Sequence, residues 1–129
     1  MMKKWQYREI QSMLAAVAGY FNLDVEVWLE VEDLSEGNHA EVANLGEGVY
    51  TIHFDKEWLK SAGRDEILCV TAHEMVHVKQ YEQDNLTLSE AGYFMNSKEY
   101  KGDYWFSPWE IEARGYEQAF LHYSISWTK

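Results

Sequence analysis

Apolar side chains recur at helical spacing in three stretches of the chain, and each stretch predicts an amphipathic helix. The first stretch covers residues 3–21, with apolar positions at Ile10, Met13, Leu14, Val17 and Phe21. The second follows Gly63 and runs to about Glu82. The third opens at Ser107-Pro108 and runs to about Ser124, because serine is a favourable N-cap and proline fits the first helical position. Glu110 is placed to complete a capping box with Ser107.

Between the first two helices the apolar pattern becomes alternating, which is typical of strands. The predicted strands cover residues 25–32, 40–45 and 49–54, and the last is the richest in β-branched and aromatic side chains. Their spacing favours a small antiparallel meander. Residues 84–104 show little periodicity and predict an irregular segment. The whole pattern predicts one α+β domain, residues 1–129, with a small antiparallel or mixed sheet and N-terminal, central and C-terminal helices.

Composition and charge narrow the range of partners. The 129 residues carry a formal net charge of −11, and the segment Asp24–Asp55 has nine acidic side chains and no lysine or arginine. Such a surface repels nucleic acid phosphates. It either attracts a basic substrate or partner, or is a solvated surface that keeps the protein soluble, and the sequence favours the solvated surface. No apolar run is long enough to cross a bilayer, so neither nucleic acid nor membrane is an expected partner.

Cysteine use and the N-terminal segment bear on localisation. The single cysteine, Cys69, excludes an intrachain disulfide, which fits a reducing compartment, and we expect the cytoplasm. Its place on an apolar helix face favours a buried, small apolar side chain over a metal ligand. Lys3 and Lys4 precede an alanine-rich stretch, as in a signal peptide, but polar residues interrupt the approach and favour the amphipathic helix.

The strongest chemical signal is His73-Glu74-Met75-Val76-His77, the pattern H-E-x-x-H, inside the second predicted helix. Two histidines four residues apart project from the same helix face, so their ring nitrogens can converge on one metal ion. The glutamate between them points toward the same cleft, where it can take a proton from a metal-bound water. We therefore predict a zinc site with His73 and His77 as ligands and Glu74 as the general base.

The motif leaves the third ligand to be found. A catalytic zinc ion takes three protein ligands and keeps one position for water. The downstream candidates are Glu110 and Glu112, at the start of the last predicted helix. They lie about 200° apart around that helix, so only one of them can ligate the ion. Spacing alone leaves both glutamates open as the third ligand.

This arrangement resembles the gluzincin branch of the zincin metallopeptidases, and the overall layout resembles the small minigluzincins. Several gluzincins show alanine three residues and aspartate four residues after the ligand glutamate. Here Glu110 matches the ligand and Ala113 the alanine, whereas Arg114 stands in place of the aspartate. The family's aspartate supports a zinc histidine, and arginine cannot accept that hydrogen bond. The resemblance therefore implies support from elsewhere, with Glu112 or a backbone carbonyl as candidates.

Motif and resemblance together predict a zinc-dependent peptidase that acts on a peptide or protein substrate. In zincins the strand nearest the active-site helix binds extended peptide, and residues 49–54 are either the strand in that role or an ordinary core strand. Tyr104 and Tyr116 are candidates to stabilise an oxyanion. The alternative is a non-enzymatic module in which zinc joins two helices and the acidic surface binds a basic partner protein. Three protein ligands plus water favour catalysis, and four protein ligands favour a structural role.

Overall fold

The structure, a computed structural model that describes residues 2–35 and 37–128, has four α-helices and two three-stranded sheets in that part of the chain. In chain order the elements are α1 (Lys4–Phe21), β1 (Glu26–Glu32), β2 (Ala40–Gly46), β3 (Val49–Asp55), α2 (Lys56–Ser61), α3 (Arg64–Gln83), β4 (Thr87–Ser89), β5 (Gly92–Met95), β6 (Lys98–Tyr100) and α4 (Pro108–Ser124). Short 3-10 helices at Tyr104–Phe106 and Ile125–Thr128 flank α4. The predicted α+β class is confirmed. Among the helices described, none has the length and apolar character needed to pass through a bilayer.

The first sheet is mixed, and the prediction of an antiparallel meander is wrong. The strand order is β1-β3-β2, with β3 parallel to β1 and antiparallel to β2. Strand β3 takes the centre because Tyr50, Ile52 and Phe54 form its most apolar face, each no more than 1% exposed. A central strand has both edges paired and suits such residues. The acidic side chains that alternate along β1 suit an edge strand with one wet face.

Helix α3 packs against α1, α4 and β2, and so holds the central place in the fold. Every residue from Thr71 to Gln80 is buried except His73, which is half-buried. Toward α1 and the mixed sheet the contacts are apolar, because Ile67, Leu68 and Met75 belong to the hydrophobic core. The three predicted helices are confirmed, with ends within about two residues of those expected.

Residues 84–104, predicted to be irregular, contain the second sheet. Its strands β4, β5 and β6 are antiparallel and joined in sequence order. Asn96 and Ser97 link β5 to β6 with positive φ angles of 52° and 67°, as in a type I′ hairpin. Strands of three or four residues are too short for alternation to be recognised in the sequence. This sheet precedes the Tyr104–Phe106 turn that leads into α4.

Candidate metal centre

The site lies where α3 meets the first turn of α4. His73 and His77 project from successive turns of α3, and Glu110 projects from the start of α4. The carboxylate bonds both rings, with Oε1 3.1 Å from Nε2 of His73 and Oε2 2.9 Å from Nε2 of His77. One ligand atom from each of the three side chains lies within 4.8 Å of the others. The structure therefore brings the three predicted ligands to one point, and a His-His-Glu group of this kind can hold a metal ion.

The first turn of α4 directs Glu110 toward α3. The helix begins at Pro108 as predicted, and the fully buried Trp109 anchors the turn. The predicted capping box does not form, because the Ser107 hydroxyl donates to the Tyr104 carbonyl oxygen at 2.7 Å and makes no capping bond. The carboxylate bonds the histidines instead, since charge-assisted hydrogen bonds are stronger than a bond to a neutral backbone N–H.

The alternative third ligand, Glu112, faces away from both histidines. Its Oε2 accepts from the Lys79 ammonium at 3.0 Å, and its Oε1 accepts from the Gln80 amide at 2.9 Å. Lys79 also donates to Asp84 at 2.8 Å. Positions two apart on a helix point about 200° away from each other, so a turn that brings Glu110 to the histidines takes Glu112 elsewhere.

A carboxylate behind His73 fixes how its ring faces the site. Nδ1 of His73 lies 3.0 Å from Oε2 of Glu117. An ionised carboxylate only accepts, so the protonated ring donates from Nδ1 to Glu117 and from Nε2 to Glu110. A neutral ring that kept the Nδ1 hydrogen would present its Nε2 lone pair to a metal ion. Glu117 follows Glu110 by seven residues, about two turns of the same helix face. Arg114, at the position of the family's aspartate, donates instead to the Trp105 carbonyl oxygen at 2.6 Å.

His77 is oriented by an amide. Its Nδ1 lies 2.8 Å from Oε1 of the fully buried Gln80. The amide presents its oxygen to the ring because its Nε2 donates to the Trp109 carbonyl oxygen at 2.8 Å and to Glu112 at 2.9 Å. His77 therefore also donates from Nδ1 and directs Nε2 to Glu110. The expectation that Glu112 supports a ligand histidine directly is wrong, since Gln80 stands between them.

The electrostatics of the group favour a positive charge at its centre. Burial disfavours charge on the His73 ring, but the bonds to Glu110 and Glu117 outweigh burial and raise its pKa to about 10. The same balance, with Glu110 as the hydrogen-bonding partner, raises the pKa of His77. Burial acts to raise the pKa of Glu110, but the two rings hold it far below its usual value. A cation that displaces the ring protons meets the same ionised carboxylate.

Glu74 lies beside this group and lines an open cleft of about 380 Å³, together with all three candidate ligands. Its side chain is only 8% exposed, and its carboxylate has no hydrogen-bond partner within residues 2–35 and 37–128. Burial raises the pKa of Glu74 to about 7. An unpaired carboxylate with a pKa near neutrality can both take and return a proton in the cleft.

Of the two candidate tyrosines, Tyr104 lines the cleft. Its hydroxyl donates to Oε2 of Glu110 at 3.1 Å. Burial and the Glu110 charge raise the pKa of Tyr104, so the phenol stays protonated and able to donate. Tyr116 packs its ring against Phe21 and Phe120 and does not line the cleft.

Strand β2, and not β3, borders the cleft. Ala40, Glu41 and Val42 of β2 line it, and β2 is an edge of the mixed sheet. Of the two alternatives for residues 49–54, the ordinary core strand is confirmed, because β3 is paired on both sides and its backbone groups are engaged. An added strand in this sheet beside the cleft must pair with the open edge of β2.

His39, His53 and Cys69 take no part in the group. Nδ1 of His53 lies 3.1 Å from Oε2 of Glu32, and the His39 ring stacks on Trp58 with centroids 4.9 Å apart. Cys69 is half-buried, and burial raises the pKa of its thiol. Cys69 is thus outside the group of candidate ligands, as predicted, but it is half-buried and not the buried apolar side chain that the sequence favoured.

The sequence did not single out Gln80 or Glu117, which orient the two histidines. Sequence spacing could have identified both residues, because Gln80 follows His77 by three residues and Glu117 follows Glu110 by seven. Residues at these separations share a helix face. The signal is weak, since most polar residues at such spacings lie on solvated faces.

Among protein-family models, curated proteins and solved structures, none matches this chain. The likeness to gluzincins therefore rests on the motif residues and the layout of helices around them, and it stays a prediction.

Proposed function

We propose that the protein is a zinc-dependent peptidase. The observation that carries the proposal is the meeting of His73, His77 and Glu110 beside the unpaired carboxylate of Glu74, in a cleft open to solvent. Two imidazoles and one carboxylate are a common ligand set of catalytic zinc sites. Within the described part of the chain no further histidine, cysteine, aspartate or glutamate joins the group, which leaves a coordination position for water. A zinc ion bound there supplies a Lewis acid that polarises a carbonyl group and lowers the pKa of water.

The residues of the cleft provide the rest of the chemistry. Glu74 takes a proton from the attacking water and passes it to the leaving amine. The Tyr104 hydroxyl donates toward the carbonyl oxygen as negative charge develops there. The open edge of β2 aligns the extended backbone of the substrate. Glu117 and Gln80 keep both ligand rings turned toward the cleft.

A structural zinc site is the competing function, and the donor count disfavours it. Structural sites are closed by four protein ligands, whereas three residues form this group in the described part of the chain. Phe120 of α4 also belongs to the same hydrophobic core as Ile67 and Leu68 of α3. Both helices therefore contribute to one core that does not include the three candidate ligands.

The decisive experiment separates zinc binding from hydrolysis. Protein stripped with a chelator and reloaded should bind zinc stoichiometrically by elemental analysis and should cut unstructured peptides, with fragments identified by mass spectrometry. Glu74→Gln should keep its zinc and lose about 10²–10⁴-fold in rate. Glu90→Gln, an exposed residue between β4 and β5, is the matched control and should cut as the unmodified protein does.

Two outcomes contradict the peptidase. If Glu74→Gln hydrolyses peptides as fast as the unmodified protein, Glu74 is not the general base. If protein free of zinc does so, zinc is not required for the reaction. Stoichiometric zinc with no hydrolysis of any peptide supports the structural alternative instead.

A further inference from the structure

The cleft beside the His-His-Glu group combines apolar walls with an acidic rim. Val42, Tyr81 and Leu88 supply apolar surface, and Glu41 is exposed on the edge strand β2. None of the residues that line the cleft is a lysine or arginine. A ligand side chain with an aliphatic stem and a cationic head complements both features, because such side chains bury the stem and keep the charge at a polar rim.

Glu41 is the carboxylate of this cleft that lacks a counter-charge. A divalent cation held by the three candidate ligands would balance the charges of Glu110 and Glu74. Glu41 lines the same cleft as Glu74 and forms no hydrogen bond or ion pair with any residue that the structure describes. One negative charge is therefore left at the rim, next to a buried and unpaired carboxylate that faces the same space.

The acidic rim continues onto the outer face of the mixed sheet. Pairing of Glu30 with His53, and of His53 with Glu41, places these residues side by side across all three strands. Glu26 and Glu32 are exposed on the same face of β1. A one-signed surface that leads into a cleft raises the local concentration of ligands of opposite charge.

We propose that the cleft takes peptides with a lysine or arginine side chain next to the scissile bond. Glu41 receives the charged head, and Val42, Tyr81 and Leu88 pack against the stem. This inference rests on the proposed peptidase function and names its substrate class. In the reaction one water molecule adds across the amide bond, which breaks to give a carboxylic acid and an amine.

Matched peptides test the selectivity. Three peptides are tested as substrates of the zinc-loaded protein. They differ only at one position next to the cleaved bond, where they carry lysine, methionine (an uncharged side chain of similar length) or glutamate. At low ionic strength kcat/KM for the lysine peptide should exceed that for the methionine peptide about tenfold. Glu41→Gln should reduce this ratio about tenfold, and Glu41→Lys should reverse the preference toward the glutamate peptide.

The control variant is Glu30→Gln, which makes the same charge change on the same sheet face but outside the cleft. When the measurement is repeated at physiological ionic strength, it should alter the lysine-to-methionine ratio less than about twofold, since exposed charges at a distance are then largely screened. A ratio near one in the unmodified protein overturns the inference. A ratio that falls equally in Glu30→Gln and Glu41→Gln does so as well, because it reports general charge and not the cleft.

Binding separates failure of this inference from failure of the peptidase. Zinc-loaded Glu74→Gln, with and without Glu41→Gln, is titrated against the same peptides by fluorescence anisotropy, and the lysine peptide should bind about tenfold more tightly only when Glu41 is present. Hydrolysis without a basic preference overturns the inference alone. Glu41-dependent binding of the lysine peptide without hydrolysis overturns the peptidase but keeps the basic-ligand site. If the protein shows no hydrolysis and no selective binding of the lysine peptide, both the peptidase and the basic-ligand site are overturned.

Discussion

Helix α3 is buried on two sides, and the two sides differ in their chemistry. Toward α1 and the mixed sheet it presents Ile67, Leu68 and Met75, which join the apolar core. Toward α4 it makes a network of hydrogen bonds and ion pairs that involves His73, His77, Lys79, Gln80, Glu110, Glu112 and Glu117. One helix therefore carries a conventional core on one side and a nearly buried polar network on the other.

This difference separates the source of stability from the source of function. Apolar burial stabilises the fold at about 25 cal/mol per Å² of surface removed from water. Buried ion pairs gain little net stability, because desolvation offsets most of their attraction. The polar interface is thus a poor way to join α3 to α4 and a good way to hold imidazole rings at fixed angles. The two sides are not independent if a substitution on the apolar side lowers zinc affinity, or if a substitution on the polar side disrupts the fold.

The largest expected effect is on metal binding, from the polar side. His77→Ala removes one of three ligands, so zinc affinity should fall by more than the roughly 100-fold that loss of a supporting residue costs. The apolar side is untouched, and far-ultraviolet circular dichroism should stay that of the unmodified protein. Competition with a chelating dye measures the affinity. If this variant binds one equivalent of zinc with unchanged affinity, His77 is not a ligand and the proposed metal site is contradicted.

The next effect is on stability, from the apolar side. Met75→Ala opens a cavity beside α1 and should lower the free energy of unfolding by about 2–5 kcal/mol in urea titrations. Zinc affinity of the folded fraction should change little, because Met75 faces away from the ligands. Met95→Ala, a half-buried methionine of the second sheet, is the control and should cost less. A large loss of zinc affinity in Met75→Ala would show that the two sides are coupled.

Smaller losses of zinc affinity are expected when the residues that orient the two histidine rings are changed. Glu117→Gln keeps an acceptor near Nδ1 of His73 but removes its charge, so zinc affinity should fall about 10–100-fold. Glu112→Gln acts on His77 only through Gln80 and should cost less than Glu117→Gln. Isothermal titration with zinc gives both values. The reverse order would show that the path through Gln80 matters more than the direct carboxylate.

The smallest effect is a pH-dependent stability at the sheet side of α3. Burial and the bond to Glu82 raise the pKa of Tyr50 above its usual value of 10.0. The protonated phenol is favoured in the folded state, so its contribution is present below pH 10 and is lost as pH rises through the raised pKa. Tyr50→Phe should cost about 1 kcal/mol at pH 7, and this difference should shrink above pH 10. A pH-independent difference would contradict the assignment.

Local pattern allowed the three long helices and the central motif to be predicted from sequence. A helix is recognisable because its period and its end residues are encoded within a few positions, as at Ser107-Pro108. The spacing of His73 and His77 sets their common face without knowledge of the rest of the fold. The same local pattern reduced the third ligand to Glu110 or Glu112, near the start of a predicted helix, and the resemblance to gluzincins favoured Glu110.

Tertiary structure decided what depends on how separate elements meet. Strand order cannot be read from alternation, because pairing joins backbones that are distant in sequence. The structure therefore places β3 at the centre of the sheet and β2 at the edge beside the cleft, which the predicted meander did not. The choice between Glu110 and Glu112 needed the rotation of α4 relative to α3. The same rotation brought Glu117 behind His73. Helical periodicity fixes which side chains share a face, but only packing fixes which face meets which neighbour.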